Sequence, residues 1–295
     1  MRLFNFKLGE ISGVGVADPK GTLRGLLVNQ ERYPGSIEDL IGEGKNALKE
    51  AGDLLATSPV LDANALQFEP PVKRPSKVLC VGLNYADHGS EVGQTLVDYP
   101  TIFSRFATGI VGHGVAMVRP KVSQQFDFEG ELAVVIGTTA RNVSQANALS
   151  HVAGYSIFND GSLRDYQTRT SQWTMGKNFD RTAGFGPFLV TPDELPEGAA
   201  GIRLRTRLNG EVVQDATTSE FLFDVPHLIA LISEVMTLEP GDVIATGTPS
   251  GVGAARQPQL FMRHGDVCEV EIEGIGTLVN PIRDEGEARQ MAVGS

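Results

Sequence analysis

A chain of 295 residues with 41% hydrophobic content is long enough for one large domain, or a large and a small one, and can bury a sizeable core, which excludes global disorder. Its formal charge of −11, from 25 basic and 36 acidic residues, disfavours nucleic acid as a partner, because neutralising phosphates needs basic clusters. No run of about 18 apolar residues occurs, so no membrane span is expected. The opening MRLFNFKLGEISG has no apolar targeting core, so the expected compartment is the cytoplasm.

Residues 1–68 read as a small N-terminal α/β domain. Residues 13–16 and 26–28 are strand-like, and Leu40, Ile41, Ala47, Leu48, Ala51 and Leu55 recur at helical spacing over 37–55. Residues 69–76 are a Pro-rich linker, since Pro70, Pro71 and Pro75 can continue neither a helix nor a central strand. The main body, 77–283, is strand-rich. Strands are expected at 77–82, 101–106, 126–137, 154–158, 202–208, 211–213, 243–246 and 267–272, with a type I′ turn at Asn209-Gly210 and a helix over 225–236. Residues 284–295 are polar and small and read as a loose tail. With 34 glycines and 16 prolines supplying turns, the fold class is a β-rich α+β fold. Cys80 and Cys268 sit in apolar strands without CxxC spacing and read as small buried hydrophobes rather than a zinc site.

Chemistry concentrates first at Phe126-Asp127-Phe128-Glu129-Gly130-Glu131, which leads into the apolar LAVVIG. Side chains alternate along a strand, so Asp127, Glu129 and Glu131 are expected on one side. Three carboxylates there repel one another and resist desolvation, and a hard, oxygen-seeking divalent cation would relieve both. The residues alone leave open whether this is a metal site or a solvated acidic strand end. Asp160, at the end of the next strand and before Gly161, is either another ligand or a turn former.

Two further clusters are polar. In LNYADHGSEVG, His88 and Glu91 stand at i and i+3, where a carboxylate could orient a general-base imidazole; the alternative is a surface pair. Arg164, Gln167 and Lys177 could bind an anion, Arg164 by bidentate pairing with a carboxylate. The loop TGTPSGVG allows close backbone approach to a ligand without being a P-loop, and no GxSxG elbow is present. His113, His151, His227 and His264 lack ligand spacing and read as structural or surface residues.

In order along 77–282, GLNYADH, DFEGELAVVIG, GYSIFNDGSLRDYQ, QWTMGKNFD, RLNGEVVQD, MTLEPGDVIATGTPSGVG and GDVCEVEIEGIGTLVNPI resemble the fumarylacetoacetate hydrolase family. The resemblance implies a mixed β-sandwich roll, usually a homodimer, preceded by a small N-terminal domain. It implies Glu129, Glu131 and Asp160 as ligands of Mg²⁺, with Mn²⁺ or Ca²⁺ as variants, so that Asp127 drops to a supporting residue. It implies His88 and Glu91 as the catalytic pair on a lid, and Lys177, Gln167 and Thr248 as contacts to the substrate or its oxyanion. Where many members carry F-x-K-P, this chain has Phe103-Ser104-Arg105-Phe106, and Arg105 is expected to supply the pocket's positive charge. The implied activity is hydrolysis of a carbon–carbon bond in a small anionic 2,4-dioxo acid of the acylpyruvate type. Tautomerisation or decarboxylation of a 2-oxo acid such as oxaloacetate is the alternative, and a non-catalytic metal-dependent binding protein comes third.

Overall fold

The computed structural model describes residues 1–86 and 98–287. At its centre is the strand Gly130–Ile136, in which every residue is buried. Its odd and even positions face different cores. Leu132, Val134 and Ile136 join a cluster with Leu228, Ile229 and Ile232 of the helix Val225–Val235 and with Leu204, Val270 and Ile272. Ala133 and Val135 pack with Leu3, Ile37, Leu48, Leu55 and Phe185 on the other side. A strand buried on both faces must be apolar throughout, which is why this segment shows no alternation beyond Glu131.

The strand lies inside a mixed eleven-stranded sheet. It pairs antiparallel with Val152–Asn159 on one side and Val243–Ala245 on the other. Val78–Gly82 joins Val243–Ala245 in parallel, and Thr101–Arg105 closes that edge. A five-stranded sheet, in the order Glu211–Thr217, Arg203–Leu208, Val267–Ile272, Gly276–Asp284 and Met117–Arg119, packs against the central strands. The Asn209-Gly210 hairpin turn has φ of 53° and 83°, the left-handed values that a type I′ turn needs.

The structure differs from the sequence expectation at three places, one for a local reason and two through long-range pairing. The single helix expected over 37–55 is two, Ile37–Glu43 and Lys45–Leu55, because Gly44 takes φ 102° and ends the first. The segment 126–137 is also two pieces, Phe126–Asp127 and Gly130–Ile136. Phe126–Asp127 turns away to pair with Ser162–Leu163. Finally, the leading strand Arg2–Leu8 is hydrogen-bonded to Ala183–Val190, so the N-terminal segment extends the main sheet. Asn5 Nδ2 in turn donates to the carbonyls of Pro70 (3.2 Å) and Pro71 (3.0 Å) in the Pro-rich stretch. Cys80 and Cys268 are free thiols in the core. Among the described residues no helix is long and apolar enough to cross a membrane.

Candidate metal centre and active site

Asp160 reaches the two glutamates through strand pairing. Register places Gly130 opposite Asn159, so the end of one strand lies beside the start of the other. Just beyond that pair, Asp160 N–H donates to Glu129 O at 2.8 Å, and Glu129 N–H donates to Asn159 Oδ1 at 3.1 Å. Glu129, Glu131 and Asp160 thereby offer carboxylate oxygens that all lie within 4.8 Å of one another, in fully buried positions. Burial first, then the charges of Asp160 and Glu129, pushes the Glu131 carboxyl well above its usual range. A group of anionic oxygens whose mutual repulsion already favours protonation is the donor set that a hard divalent cation fits.

Asp127 is not one of the group, because the strand breaks after it. Its Oδ1 accepts from Phe128 N (2.9 Å) and Gly253 N (2.7 Å), and its Oδ2 accepts from Ala254 N (2.9 Å) and Arg164 Nε (2.8 Å). The expected row of three same-face carboxylates is therefore only two, Glu129 and Glu131, while Asp127 ties down the loop after residue 252.

Cations interleave with the carboxylates. Lys177 is buried, and its Nζ donates to Glu129 Oε2 at 2.6 Å and to Asp160 Oδ2 at 2.7 Å. Burial pulls its pKa down, but Asp160 and Glu129 outweigh that and leave it above the ordinary lysine value. Arg164 Nη1 lies 2.7 Å from Glu129 Oε1 and donates to Gln167 Oε1 at 2.9 Å. Lys177 and Gln167 sit on two short helices, Thr174–Lys177 and Arg164–Gln167, that touch at Gly176. A Cβ on Gly176 would stand 2.4 Å from Gln167 N, so only glycine allows this approach.

Arg105 departs from expectation. It does not face the pocket: it is 2% exposed and lies behind Asp160, donating to Asp160 Oδ1, to Gly161 O at 3.0 Å and to Thr182 Oγ1 at 2.8 Å. Its strand, Thr101–Arg105, ends the sheet with Arg105 opposite Val78, and that register turns the side chain inward. The guanidinium is a backstop to a carboxylate, not a substrate contact.

A cavity of about 340 Å³ opens over this group. Glu129, Glu131, Arg164, Gln167, Lys177 and Thr248 line its polar floor, and Val81, Leu83, Phe103 and Trp173 form an apolar wall. Phe103 and Trp173 meet edge to face at 5.4 Å between centroids. Trp173 escaped the sequence reading although it stands four residues before Lys177, since a lone tryptophan reads as core. Gln214, which hydrogen-bonds Thr248 from the second sheet, also gave no local signal. His88 and Glu91 lie outside the described residues. The other histidines are remote from the cavity: His113 Nδ1 accepts from Val279 N at 3.1 Å, His151 lies by Thr138, His227 N–H caps onto Asp224, and His264 pairs with Glu287.

The family description "Fumarylacetoacetate (FAA) hydrolase C-terminal" matches residues 77–283. The chain is 39% identical over 289 residues to a mitochondrial oxaloacetate tautomerase of Homo sapiens, spanning 96% of this chain and 91% of that one. Among solved structures, a fumarylacetoacetate hydrolase from psychrophilic Exiguobacterium antarcticum superposes with TM-score 0.85 at 38% identity, covering 97% of this chain and 100% of that one. A maleylpyruvate hydrolase from Sphingobium sp. SYK-6, solved with manganese(II) and pyruvate, gives TM-score 0.78 at 25% identity, covering 96% and 99%. With the carboxylate group, the strand order and these likenesses in agreement, the chain belongs to the fumarylacetoacetate hydrolase family.

Proposed function

We propose that the protein is a divalent-metal-dependent tautomerase of 2-oxo dicarboxylic acids of the oxaloacetate type, interconverting enol and keto forms. The observation that carries this reading is the near end-to-end likeness to the human oxaloacetate tautomerase, at 39% identity across 96% of the chain. It favours the alternative of the sequence reading over hydrolytic carbon–carbon cleavage. The chemistry is consistent with that order, since tautomerisation needs only a stabilised enolate and a proton carrier. Hydrolysis needs in addition a positioned water and a leaving carbon.

Glu129, Glu131 and Asp160 would hold the cation, Mg²⁺ in the first instance, with Mn²⁺ or Ca²⁺ accepted by the same oxygen donors. When bound, such a cation supplies Lewis-acid stabilisation of negative charge on the 2-oxo group. Lys177, buried in the cavity floor, holds a fixed positive charge where the enolate oxygen develops, and in a water-poor site such a charge acts strongly. With Arg164 Nε held by Asp127 and its Nη1 by Glu129 and Gln167, Arg164 Nη2 and the Gln167 amide are the donors offered to a substrate carboxylate. The apolar wall of Phe103 and Trp173 excludes water from one side of the enolate. His88, which the family resemblance pairs with Glu91, is the proposed carrier of the proton at carbon 3.

The test is direct. Enol oxaloacetate diluted from aprotic solvent loses its ultraviolet absorbance as it ketonises, and the protein with Mg²⁺ should speed that decay while EDTA abolishes the effect. The same protein is then offered acylpyruvates, with pyruvate release measured. Rapid acylpyruvate cleavage with no acceleration of ketonisation would overturn the proposal in favour of the hydrolase.

A further inference from the structure

Beyond the residues that line the cavity, one buried side chain crosses from the other sheet into the metal centre. Gln214 lies on Glu211–Thr217, an edge strand of the five-stranded sheet, and is 2% exposed. Its Oε1 accepts from Gly130 N at 3.0 Å. Its Nε2 donates to Thr248 Oγ1 at 2.8 Å and to Pro249 O at 2.9 Å. Thr248 Oγ1 donates in turn to Gly130 O at 3.0 Å. The three residues form a closed ring of hydrogen bonds that takes in both the N–H and the C=O of Gly130, the glycine between Glu129 and Glu131.

The ring has a steric precondition. A Cβ on Gly130 would stand 2.3 Å from Thr206 Oγ1 and 3.4 Å from Gln214 Oε1, so a side chain there would push the two sheets apart. The glycine lets the amide of Gln214 reach the backbone that aims both glutamates. Both amide protons and the carbonyl oxygen of Gln214 are engaged inside the protein, so it has no reason to contact substrate. The Thr248 hydroxyl accepts from one ring member and donates to another, which sets its rotamer at the cavity floor.

We propose that Gln214 is a positioning residue that sets the Glu129–Gly130–Glu131 segment and the Thr248 hydroxyl as a single unit, so that metal affinity and substrate contact depend on the same amide. The proposal rests on the tautomerase reading only for its kinetic arm; the metal arm needs no substrate.

The experiment compares Gln214→Met, which conserves volume and removes the amide, with Gln214→Glu, which keeps an acceptor for Gly130 N–H but cannot donate to Thr248. Each is stripped with EDTA and titrated with Mn²⁺ alone by calorimetry, then assayed for ketonisation, with circular dichroism to verify folding. Gln214→Met should lose about 10–100-fold in Mn²⁺ affinity, the usual cost of removing a group that orients metal ligands. Gln214→Glu should bind Mn²⁺ at least as well as the parent yet still lose kcat/KM. In a Thr248→Val background the kinetic effect of Gln214→Met should shrink to under about threefold, because coupled neighbours are not additive. A folded Gln214→Met with parental Mn²⁺ affinity would overturn the proposal, as would kinetic losses that simply multiply with Thr248→Val. Should Gln214→Met not fold, an unchanged kcat/KM in Gln214→Glu does so instead. If the parent protein binds Mn²⁺ but ketonises nothing, the function reading fails separately; oxalate affinity of the Mn²⁺-loaded variants then replaces the kinetics.

Discussion

Lys177→Met isolates what the buried ammonium does. Its Nζ bridges Glu129 Oε2 and Asp160 Oδ2 at 2.6 and 2.7 Å, and methionine fills similar space without the charge. Breaking a buried ion pair by removing one partner costs about 3–5 kcal/mol. Here each carboxylate keeps a second cation, Arg164 at Glu129 Oε1 and Arg105 at Asp160 Oδ1, so the low end applies. In EDTA the variant should lose about 3 kcal/mol, a fall in Tm of roughly 5 °C at about 2.1 cal/mol/K of unfolding entropy per residue over 295 residues. A divalent cation should then restore more stability in the variant than in the parent, because it no longer shares the site with an ammonium. At a metal concentration about a hundred times the parent's Kd the parent gains about 2.7 kcal/mol, and at that same concentration the variant, with its lower Kd, should gain more. Differential scanning calorimetry in EDTA and in excess Mg²⁺ or Mn²⁺ measures both quantities. A variant as stable as the parent in EDTA, or one that gains less from metal, would refute the view that Lys177 neutralises the same carboxylates that a metal would.

Three other expectations are simpler. Glu131→Gln removes the carboxyl whose pKa is pushed up by burial and by two like charges, so stability in EDTA should be equal or greater while Mn²⁺ affinity falls by more than roughly 100-fold, beyond the ~10–100-fold cost of an outer residue; calorimetry showing unchanged affinity would remove Glu131 from the ligand set. Gly176→Ala forces a Cβ to 2.4 Å from Gln167 N and should cost about 1–3 kcal/mol of overpacking, with a drop in kcat/KM as Lys177 and Gln167 separate; a parental melting temperature and kcat/KM would contradict the close contact. Ser36→Ala breaks the capping box at Ile37–Glu43 and should cost about 1 kcal/mol in urea unfolding at neutral pH. The Ser36 side chain, then its backbone N–H, holds the Asp39 carboxyl below 3.8, so that contribution is complete above pH 3.8 and is lost as pH falls through the folded value. The gap between variant and parent should therefore narrow in acid, and a gap that stays constant would argue that the cap acts without the Asp39 carboxylate.

Much of this protein was legible along the chain because the signals are local. The unbroken LAVVIG run marked a strand, and Asn209-Gly210 marked the hairpin, since only left-handed residues make that turn. The ordered motifs pointed to the family, and the alternation of Glu129 and Glu131 followed from strand geometry. Gly44 shows the limit of a periodic signal: the hydrophobic spacing runs across it, while its φ of 102° divides the helix.

The rest depended on partners that are distant in sequence. Asp160 becomes a neighbour of Glu129 and Glu131 only through the register that sets Gly130 against Asn159. Asp127 leaves their row because its strand pairs with Ser162–Leu163 instead of continuing. Arg105 looked like a pocket cation, yet packing turns it behind Asp160, and Gln214 gave no sign that it would reach across two sheets. Composition and alternation determine which residues are apolar, acidic or able to turn, because those properties belong to each residue and its immediate neighbours. Which charge meets which carboxylate is decided by sheet register and by the few glycines that let backbones approach, and those exist only once the chain has closed on itself.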